Sequence, residues 1–470
     1  MSIGGDRFAS CNAQAAGTYF SRDRFRRVFV VGDVHGDFTA LIKCLKISRV
    51  IERVGDRWAW CAPPRTAVVL LGDTVDRFRR GGRHMLAEFT SPEGFVRTGG
   101  ERRNEELHVV LLLDSLSQQA ERSESAVFRL FGNHEFMNYT DNLYNYVTPY
   151  ALNLPEDASH EAIVQAVEAR AQSFKHGAFR RSIGSCQPKA IIQIGPTVLC
   201  HGGIDDRMWD IPEVQQRMRE TGLTLFELAN HLAKVQWESP DAVADPLFYT
   251  VLNNSVTRSV SNDDRNWLYA NRRDILPVAG ILWDDQVSAF HVHTSHGHVC
   301  DAHTRRAFQR ADADAVHRWG VERLRHVCVA HCQQTEKGTV MSGVLGDGEE
   351  PSDRAVYEED AEREVFRYSP GSGSGSGYSQ GINTECGGMV WRVDVGMSRA
   401  FRFNKQYATT VAGKTEEEYY NLLEAQRPQV LRIVHQLDGT EDFAVLKYKG
   451  NYSYDYLVYT GMGDDEEEPF

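Results

Sequence analysis

The sequence predicts an α/β fold, and two features of its pattern support this. Several short runs of β-branched residues each end in a small polar turn that contains glycine, which is typical of a buried strand followed by a loop. Amphipathic patterns with helical spacing lie between these runs. Alternating strands and helices are typical of α/β proteins, whose functional loops gather at the carboxyl ends of the strands.

The individual elements follow the chain in a regular order. Five buried strands are predicted in the segments 27–37, 67–77, 126–135, 197–203 and 325–334. Four amphipathic helices are predicted within the segments 38–53, 104–122, 161–174 and 214–235. Three later strands have no helix between them, so they suggest a second sheet that closes a sandwich; they lie within 389–401, 428–437 and 443–449.

Two segments interrupt this pattern. Residues 345–381 are acidic and then rich in Gly and Ser, a composition that cannot bury a core, so we interpret them as an inserted flexible loop. The alternative for this loop is a regulatory or partner-docking segment. A second insertion is predicted at 79–103. The main domain then spans 26–460, between an amino-terminal extension (1–25) and an acidic, solvated tail (461–470).

The overall composition excludes some functional classes. The net charge of the 470 residues is −13, which argues against a general binder of nucleic acid or of anionic membranes, because such proteins need a basic surface. The nine cysteines are scattered and odd in number, which suits a reducing compartment. The first thirty residues lack the apolar core of a signal peptide, and no apolar run approaches the length of a membrane span. We therefore expect a cytoplasmic protein.

Each of the five predicted strands is followed by at least one residue of a type that can bind a metal ion. Each one alone has an ordinary structural explanation, but their repetition at five successive strand ends favours a shared site; they are Asp33 and His35, Asp73 with Asp76 and Arg77, Asn133 and His134, His201, and His331. A set of Asp, His and Asn without thiolate suits Mn, Fe or Zn. A carboxylate shared by two ions would give a dinuclear site that attracts phosphate dianions.

Four motifs carry a resemblance to a known family. "GDVHG", "GDTVDR", "GNHE" and "HGG" occur in this order and resemble the calcineurin-like metallophosphoesterases, specifically the phosphoprotein phosphatase branch. Three later stretches, "ILWDDQ", "VAHCQQ" and "VWRVDVGMSRAF" followed by "RPQVLRI", resemble the Shewanella-like, bacterial-type phosphatases. The resemblance covers about residues 26 to 435. It implies a metallophosphoesterase sandwich of two mixed β-sheets flanked by helices.

The resemblance also implies a ligand set for two divalent or trivalent metal ions (Mn, Fe or Zn). Asp33 and His35 would hold the first ion, and Asp73 would bridge both ions. Asn133, His201 and His331 would complete the ligand set of the second ion.

The same resemblance implies roles for the residues around the metals. The reaction would be in-line attack by a metal-bridging hydroxide on a phosphomonoester, with His134 as the general acid that protonates the leaving group. Asp76 would pair with His134 and favour its protonated form. Arg77 would bind phosphate oxygens through its forked donors. Glu135 is expected to hold the loop together rather than to touch the substrate.

The sequence departs from the family pattern at three places. Phe78 stands where the eukaryotic enzymes usually have Gly, and the "SAPNY"-type segment is absent after His331. No clear motif fixes a second phosphate-binding arginine, for which Arg305 and Arg306 are candidates.

The stretch from His291 to His303 is rich in histidine and could form an independent metal site, although substrate-side or structural roles are favoured.

We therefore expect a hydrolase of the phosphoric monoester class that acts on phosphorylated proteins or peptides, without nucleic-acid or membrane partners. One alternative is a nucleotide polyphosphate or phosphodiester hydrolase of the same superfamily. Another is a non-enzymatic structural or assembly protein that has kept the phosphatase fold. In either case the inserted loops or the acidic tail could dock a protein partner.

Overall fold

The structure is a computed structural model, and the residues that it describes include most of the predicted strands and the loops that follow them. The described residues are 15, 17–55, 57–76, 105–139, 159–177, 179–180, 189–241, 244–253, 278–282, 303–331, 363–368, 381–385, 388–398, 415 and 427–449. Several predictions fall outside these residues, namely those for Arg77, for the insertion 79–103, for most of the insertion 345–381, for the histidines from 291 to 298 and for the tail 461–470.

Fourteen strands occur in the described parts of the chain. They are β1 (Tyr19–Phe20), β2 (Arg27–Val31), β3 (Ile51–Val54), β4 (Arg57–Trp60), β5 (Thr66–Leu70), β6 (Ala126–Arg129), β7 (Ile191–Ile194), β8 (Thr197–Cys200), β9 (His326–Val329), β10 (Arg363–Tyr368), β11 (Asn383–Glu385), β12 (Val390–Arg392), β13 (Gln429–His435) and β14 (Glu441–Tyr448). The five strands predicted for the first 334 residues are all confirmed, as β2, β5, β6, β8 and β9.

The helices of the described residues lie mainly between these strands. They are α1 (Phe38–Ile47), α2 (Glu105–Glu121), α3 (Asn133–Tyr139), α4 (His160–His176), α5 (Pro212–Thr221), α6 (Leu225–Glu238), α7 (Pro246–Phe248) and α8 (Arg305–Trp319). A 3₁₀ turn, Asp206–Asp210, precedes α5, and a π-helical turn, Tyr249–Asn253, follows α7. Within the described part of the chain, no helix is long and apolar enough to cross a membrane.

Twelve of the strands form two six-stranded sheets. Sheet I has the order β10-β14-β13-β2-β5-β6, and sheet II has the order β1-β7-β8-β9-β12-β11. Each sheet contains both parallel and antiparallel neighbours: β2, β5 and β6 are parallel to one another in sheet I, as are β8, β9 and β12 in sheet II. The predicted α/β sandwich of two mixed sheets is therefore confirmed.

The main hydrophobic core lies between the two sheets. Trp391 of sheet II stacks on Phe443 of sheet I with 5.0 Å between ring centroids, and Phe20 packs edge-on against Phe128 across the same core. Helices α1 and α2 belong to this first cluster, whereas a second cluster joins sheet II to α6 and α8. Because buried apolar area is the main source of stability, the two sheets hold each other in one arrangement.

Two predicted helices are shorter than the periodicity suggested. The helix predicted at 38–53 ends at Ile47, because residues 51–54 turn back as β3 and pair with β4. The helix predicted at 214–235 is split at Gly222, whose φ of 68° is left-handed and ends α5. Thr224 then starts α6 with a reciprocal capping box to Glu227.

Three other expectations about the sheets need correction. The three late strands do not form one sheet, since β12 joins sheet II while β13 and β14 join sheet I. Residues 363–368, predicted to be part of the flexible insertion, form β10 at the edge of sheet I. This short strand with the buried Val365 was not predicted, because acidic residues flank it in the sequence. The end of the predicted amino-terminal extension forms β1, which pairs with β7.

A buried charge cluster joins the two sheets at one end. Glu441 begins β14 of sheet I, and its carboxylate lies 2.9 Å from Nη2 of Arg325, which directly precedes β9 of sheet II. His326 and His435 place ring nitrogens 3.7 and 3.9 Å from the same carboxylate. Burial alone would raise the pKa of Glu441, but the two imidazoles and the Arg325 guanidinium lower that pKa to about 2.

This lowered pKa predicts how Glu441→Gln changes stability with pH. A carboxylate with a depressed folded-state pKa contributes stability above its unfolded pKa of about 4.3, and this contribution is lost as the pH falls towards 2. The variant should therefore be less stable than the wild type near pH 6, and the difference should shrink between about pH 4.5 and 2.5. Urea unfolding across this pH range measures it, with Glu52→Gln on the exposed β3 as the control. A difference that stays constant with pH would contradict the prediction.

Candidate metal centre

The loops that carry the predicted ligands meet at one edge of the sandwich. Neighbouring parallel strands end side by side, so their following loops touch. The backbone N–H of His35, after β2, donates to the carbonyl of Asp73, after β5, at 2.8 Å. The N–H of Ala330, after β9, donates to the carbonyl of His201, after β8, at 2.7 Å. Asn133, after β6, completes the cluster.

The six predicted metal ligands are brought together, and all are buried. The imidazole Nε2 of His35 lies 3.8 Å from Asp33 Oδ2 and 3.6 Å from Asp73 Oδ2. On the other side, Asp73 Oδ2 lies 3.4 Å from His201 Nε2. The amide oxygen of Asn133 is 2.9 Å from His201 Nε2 and 3.1 Å from His331 Nδ1.

Asp73 lies between the two halves of the centre. The ligand atoms of His35, Asp73 and His134 lie within 4.8 Å of one another, and so do those of Asp73, His201 and His331. Asp73 is the member that both groups share, which is the arrangement expected of a carboxylate that bridges two ions. Although burial opposes it, the imidazoles of His201 and His134 hold the pKa of Asp73 well below its usual range.

The tautomers of the histidines show that the centre fits cations. Nδ1 of His201 lies 3.1 Å from the carbonyl oxygen of Leu71, so it must carry the proton and donate. Its Nε2 faces the oxygens of Asn133 and Asp73. Although burial opposes it, Asp73 raises the pKa of His201, so Nε2 holds a proton in the metal-free protein and offers a lone pair once a metal ion replaces that proton. His35 is fixed in the same way by the carbonyls of Val75 and Asp76, each 3.1 Å from its Nδ1.

Nitrogen and oxygen ligand atoms therefore converge on common points, where the negative charge of Asp33 and Asp73 needs a positive charge, supplied by protons on the imidazoles or by the metal ions that replace them. The donor set has carboxylate, imidazole and amide groups without sulfur, which suits Mn, Fe or Zn. The residues thus fit the two predicted metal ions. When bound, such ions supply Lewis acidity that polarises a phosphoryl oxygen and activates water.

The backbone of the centre is strained at the residues that carry its chemistry. Seven non-glycine residues of the described chain have positive φ, and four of them were predicted site residues: His35, Asp73, Asp76 and His331. Left-handed backbone costs about 1–3 kcal/mol at a non-glycine residue and persists where the surrounding structure imposes it. Here the strain supports a functional role for these loops.

The loops after β5 and β6 approach each other more closely than side chains would permit. A Cβ atom on Gly132 would lie 2.1 Å from Asp73 Oδ1, and one on Gly72 would lie 2.4 Å from the backbone nitrogen of Gly132. The "GD" and "GN" pairs of the two motifs are thus a steric requirement. Asp73 Oδ1 fills the space and accepts the backbone N–H of His134 at 2.9 Å.

Glu135 holds these two loops together, as the sequence analysis expected. Its carboxylate accepts four hydrogen bonds at 2.7–3.0 Å, from the backbone N–H groups of Gly132, Asp73 and Thr74 and from the Thr74 hydroxyl. Burial and the nearby charge of Asp73 raise the pKa of Glu135, while the donors oppose this rise. The carboxylate points away from the ligand atoms and into the backbone.

His134 and Asp76 form the predicted pair. Nδ1 of His134 lies 2.8 Å from Asp76 Oδ2, and both side chains are fully buried. The opposite ring nitrogen, Nε2, lies 3.8 Å from Asp73 Oδ2, at the edge of the metal centre. Although burial opposes it, the hydrogen bond with His134 and the charge of Arg170 lower the pKa of Asp76.

Three residues behind this pair were not predicted from the sequence. Arg170 Nη2 donates to Asp76 Oδ1 at 2.7 Å and to Glu106 at 2.8 Å, and Asn138 Nδ2 donates to Asp76 Oδ2 at 2.7 Å. One sequence signal could have revealed Arg170. It occupies the buried stripe of α4 formed by Val167, Ala171 and Phe174, where an apolar residue is expected.

The remaining predicted substrate residues lie at one end of α8. Arg305 and Arg306 begin this helix, and Nε of Arg306 donates to Asp206 at 2.7 Å, in the loop that follows His201. Arg306 thus binds a carboxylate of the protein itself, although its side chain is half-exposed. A phosphate-binding role of Arg305, Arg306 or Arg77 stays a prediction.

The chain is similar to several known proteins. Residues 26–248 match the calcineurin-like phosphoesterase family. Over 126 residues the chain is 31% identical to Shewanella-like protein phosphatase 2 of Arabidopsis thaliana, a match that covers 27% of this chain and 25% of the relative. It is 30% identical over 138 residues to an uncharacterized protein of Schizosaccharomyces pombe, covering 29% of this chain and 33% of the relative.

The matches thus span a quarter to a third of these two relatives. Among solved structures, a cold-active protein tyrosine phosphatase aligns with 94% of this chain and 83% of its own, at 14% identity and a TM-score of 0.44. A crystal structure of the cold-active protein-tyrosine phosphatase of a psychrophilic Shewanella species aligns with 94% and 85%, at 14% identity and a TM-score of 0.42. The similarity to calcineurin-like phosphoesterases and to Shewanella-like phosphatases that the motifs predicted is confirmed.

The shared position of Asp73 predicts that Asp73→Asn loses metal at both halves of the centre. An amide oxygen keeps the shape but removes the negative charge that would hold two cations, so bound Mn²⁺ should fall well below that of the wild type. Metal analysis after reconstitution and dialysis measures this. Asp312→Asn is the control. Asp312 accepts the backbone N–H of Leu324 just before β9 begins, whereas the metal centre lies beyond the other end of β9. Equal metal content in Asp73→Asn and wild type would refute the bridging position.

Glu135→Ala should destabilise the protein by about 3 kcal/mol or more. The substitution leaves three buried backbone N–H groups without their acceptor, at about 1–3 kcal/mol each. Urea unfolding measures the loss, with the exposed Glu124→Ala as the control. An effect no larger than that of the control would show that the loops hold together without this carboxylate.

Proposed function

We propose that the protein is a metal-dependent phosphoprotein phosphatase that hydrolyses phosphomonoesters with His134 as the general acid. The observation that carries the proposal is the buried pair of His134 and Asp76 beside the metal centre, with 2.8 Å between Nδ1 and Oδ2. Metal ligands alone would fit a storage or structural site. An oriented imidazole at the edge of the ligand set is the additional part that phosphate ester cleavage needs.

His134 is held in one orientation. Its Nδ1–H donates to Asp76, so Nε2 is the nitrogen that faces the metal centre and can exchange a proton with a substrate oxygen. The negative charge of Asp76 stabilises the positive charge that His134 carries before it donates. The ring also packs edge-on against His35, with 4.9 Å between centroids, which keeps it beside the ligands.

The charge of the centre favours a phosphate group. Asp33 and Asp73 provide two negative charges, so a centre with two divalent ions would be positive by about two charges and would attract a phosphate dianion. Mn, Fe or Zn suits the donor set. The match to a relative named as a protein phosphatase supports a phosphorylated protein or peptide as the substrate. The cytoplasmic location and the docking role of the insertions stay predictions.

His134→Asn should separate the two roles that histidine could have in this centre. If His134 is the general acid, turnover should fall by about 10²–10⁴-fold for phosphoserine peptides and much less for p-nitrophenyl phosphate, whose leaving group needs little protonation. Both metal ions should stay bound. The measurement is kcat for each substrate together with metal analysis. His326→Asn, which alters a buried histidine in the cluster around Glu441, is the control and should leave the ratio unchanged.

Three results would overturn this proposal in different ways. Loss of a metal ion in His134→Asn would make His134 a ligand, as its closeness to His35 and Asp73 permits. A wild-type enzyme that cleaves phosphodiesters or nucleotide polyphosphates but not phosphopeptides would belong to the second class of hydrolase. A metal-loaded protein without any phosphoesterase activity would be a binding or assembly protein.

A further inference from the structure

A network of charged and amide side chains lies behind the pair of His134 and Asp76. Arg170, on α4, is its centre, and only 10% of this side chain is exposed. Nη2 donates to Asp76 Oδ1 at 2.7 Å and to Glu106 Oε2 at 2.8 Å, and Nε donates to Asn138 Oδ1 at 2.7 Å. The guanidinium also lies 5.3 Å from the centroid of the Phe174 ring. One side chain thus joins α2, α3 and α4 to the loop of Asp76.

Arg170 determines how Asn138 is oriented. An arginine Nε–H can only donate, so the amide oxygen of Asn138 must face it, and the amide nitrogen must face the other way. That nitrogen donates to Asp76 Oδ2 at 2.7 Å and to the backbone carbonyl of His134 at 2.9 Å. The amide therefore binds Asp76 and the backbone of His134 at once.

Both oxygens of Asp76 are fixed as a result. Oδ1 accepts from Arg170, while Oδ2 accepts from Asn138 and from His134. Asp76 has a φ of 63°, a left-handed conformation that is uncommon outside glycine although aspartate adopts it more readily than most residues. A carboxylate held at both oxygens can hold the imidazole in only one orientation.

Glu106 completes the charge balance. Arg170 and Glu106 together add no net charge beside Asp76, so Asp76 keeps its negative charge towards His134. Without Glu106, the guanidinium would partly cancel that charge. A lysine could not replace Arg170 fully, because one ammonium group cannot make all three contacts in the geometry of the planar fork.

We propose that Arg170 is a positioning residue for proton transfer, which holds Asp76 and Asn138 so that Nε2 of His134 points at the leaving-group oxygen. This inference rests on the proposed function of His134 as the general acid. Arg170 touches neither the metal ligands nor, by this arrangement, the substrate.

The kinetic test compares Arg170→Gln with the wild type over a series of aryl phosphates and phosphoserine peptides. We expect kcat to fall by about 10–100-fold for poor leaving groups, by analogy with the loss of a hydrogen-bond partner that orients a metal-bound histidine. Turnover of 2,4-dinitrophenyl phosphate, KM and metal content should stay close to the wild type. Arg170→Lys should recover part of kcat. Arg129→Gln, which alters another buried arginine that pairs with Asp114, should leave the leaving-group dependence unchanged.

A second measurement does not depend on turnover. In the proton NMR spectrum of the Zn²⁺-loaded protein, the hydrogen-bonded Nδ1–H of His134 should give a far-downfield signal, assigned by its loss in His134→Asn. In Arg170→Gln we expect this signal to shift upfield or to vanish through exchange with water. If Arg170→Gln does not fold, the double variant with Glu106→Gln removes both charges and replaces it in each measurement.

The outcomes separate this inference from the proposed function. A wild-type protein that does not hydrolyse phosphomonoesters refutes the function whatever the spectrum shows. An active wild type together with an unchanged leaving-group dependence and an unchanged NMR signal in the Arg170 variants refutes the role of Arg170 alone. An equal loss of kcat for every leaving group would make Arg170 a structural residue.

Discussion

The close approach of the loops after β5 and β6 is the constraint on which the site depends. Glu135 links the two loops through four hydrogen bonds. Gly72 and Gly132 have no side chains, which leaves the space that this close approach requires. Asp73 is thereby held with its Oδ1 on the backbone of His134 and its Oδ2 among the imidazoles. The predicted bridging ligand Asp73 and the proposed proton donor His134 are thus joined directly by a hydrogen bond.

The polar side chains of the "GNHE" motif point in different directions and contact different parts of the site. Its three polar side chains stand at the start of α3, where successive side chains point about 100° apart. Asn133 faces His201 and His331, His134 faces Asp76, and Glu135 turns back to the loop of Asp73. Adjacent residues thus reach three different neighbours, so the proposed ligand, the proposed proton donor and the residue that links the loops can occupy three consecutive positions.

Residues in local motifs were predictable from the sequence, and residues defined by packing were not. Each of these residues lies within four positions of the end of a strand, so strand order was enough to bring them together; they are Asp33, Asp73, Asn133, His201 and His331. Arg170 and Glu106 lie on helices, where amphipathic periodicity predicts burial but not what a charged residue meets. The same limit applies to β10, because the acidic flanks of Arg363–Tyr368 outweighed the pairing with β14 that only the folded sheet supplies.

The distribution of buried charge explains how an acidic protein can offer a cationic site. Of the carboxylates near the centre, Glu135 is matched by backbone donors, and Asp76 and Glu106 share Arg170. Asp33 and Asp73 instead face imidazole nitrogens, which can balance them as protonated rings or bind metal ions together with them. Because the outer carboxylates are matched locally, they add little negative charge to the candidate metal centre, so the net charge of −13 of the whole chain does not prevent a locally cationic site once metal ions are bound.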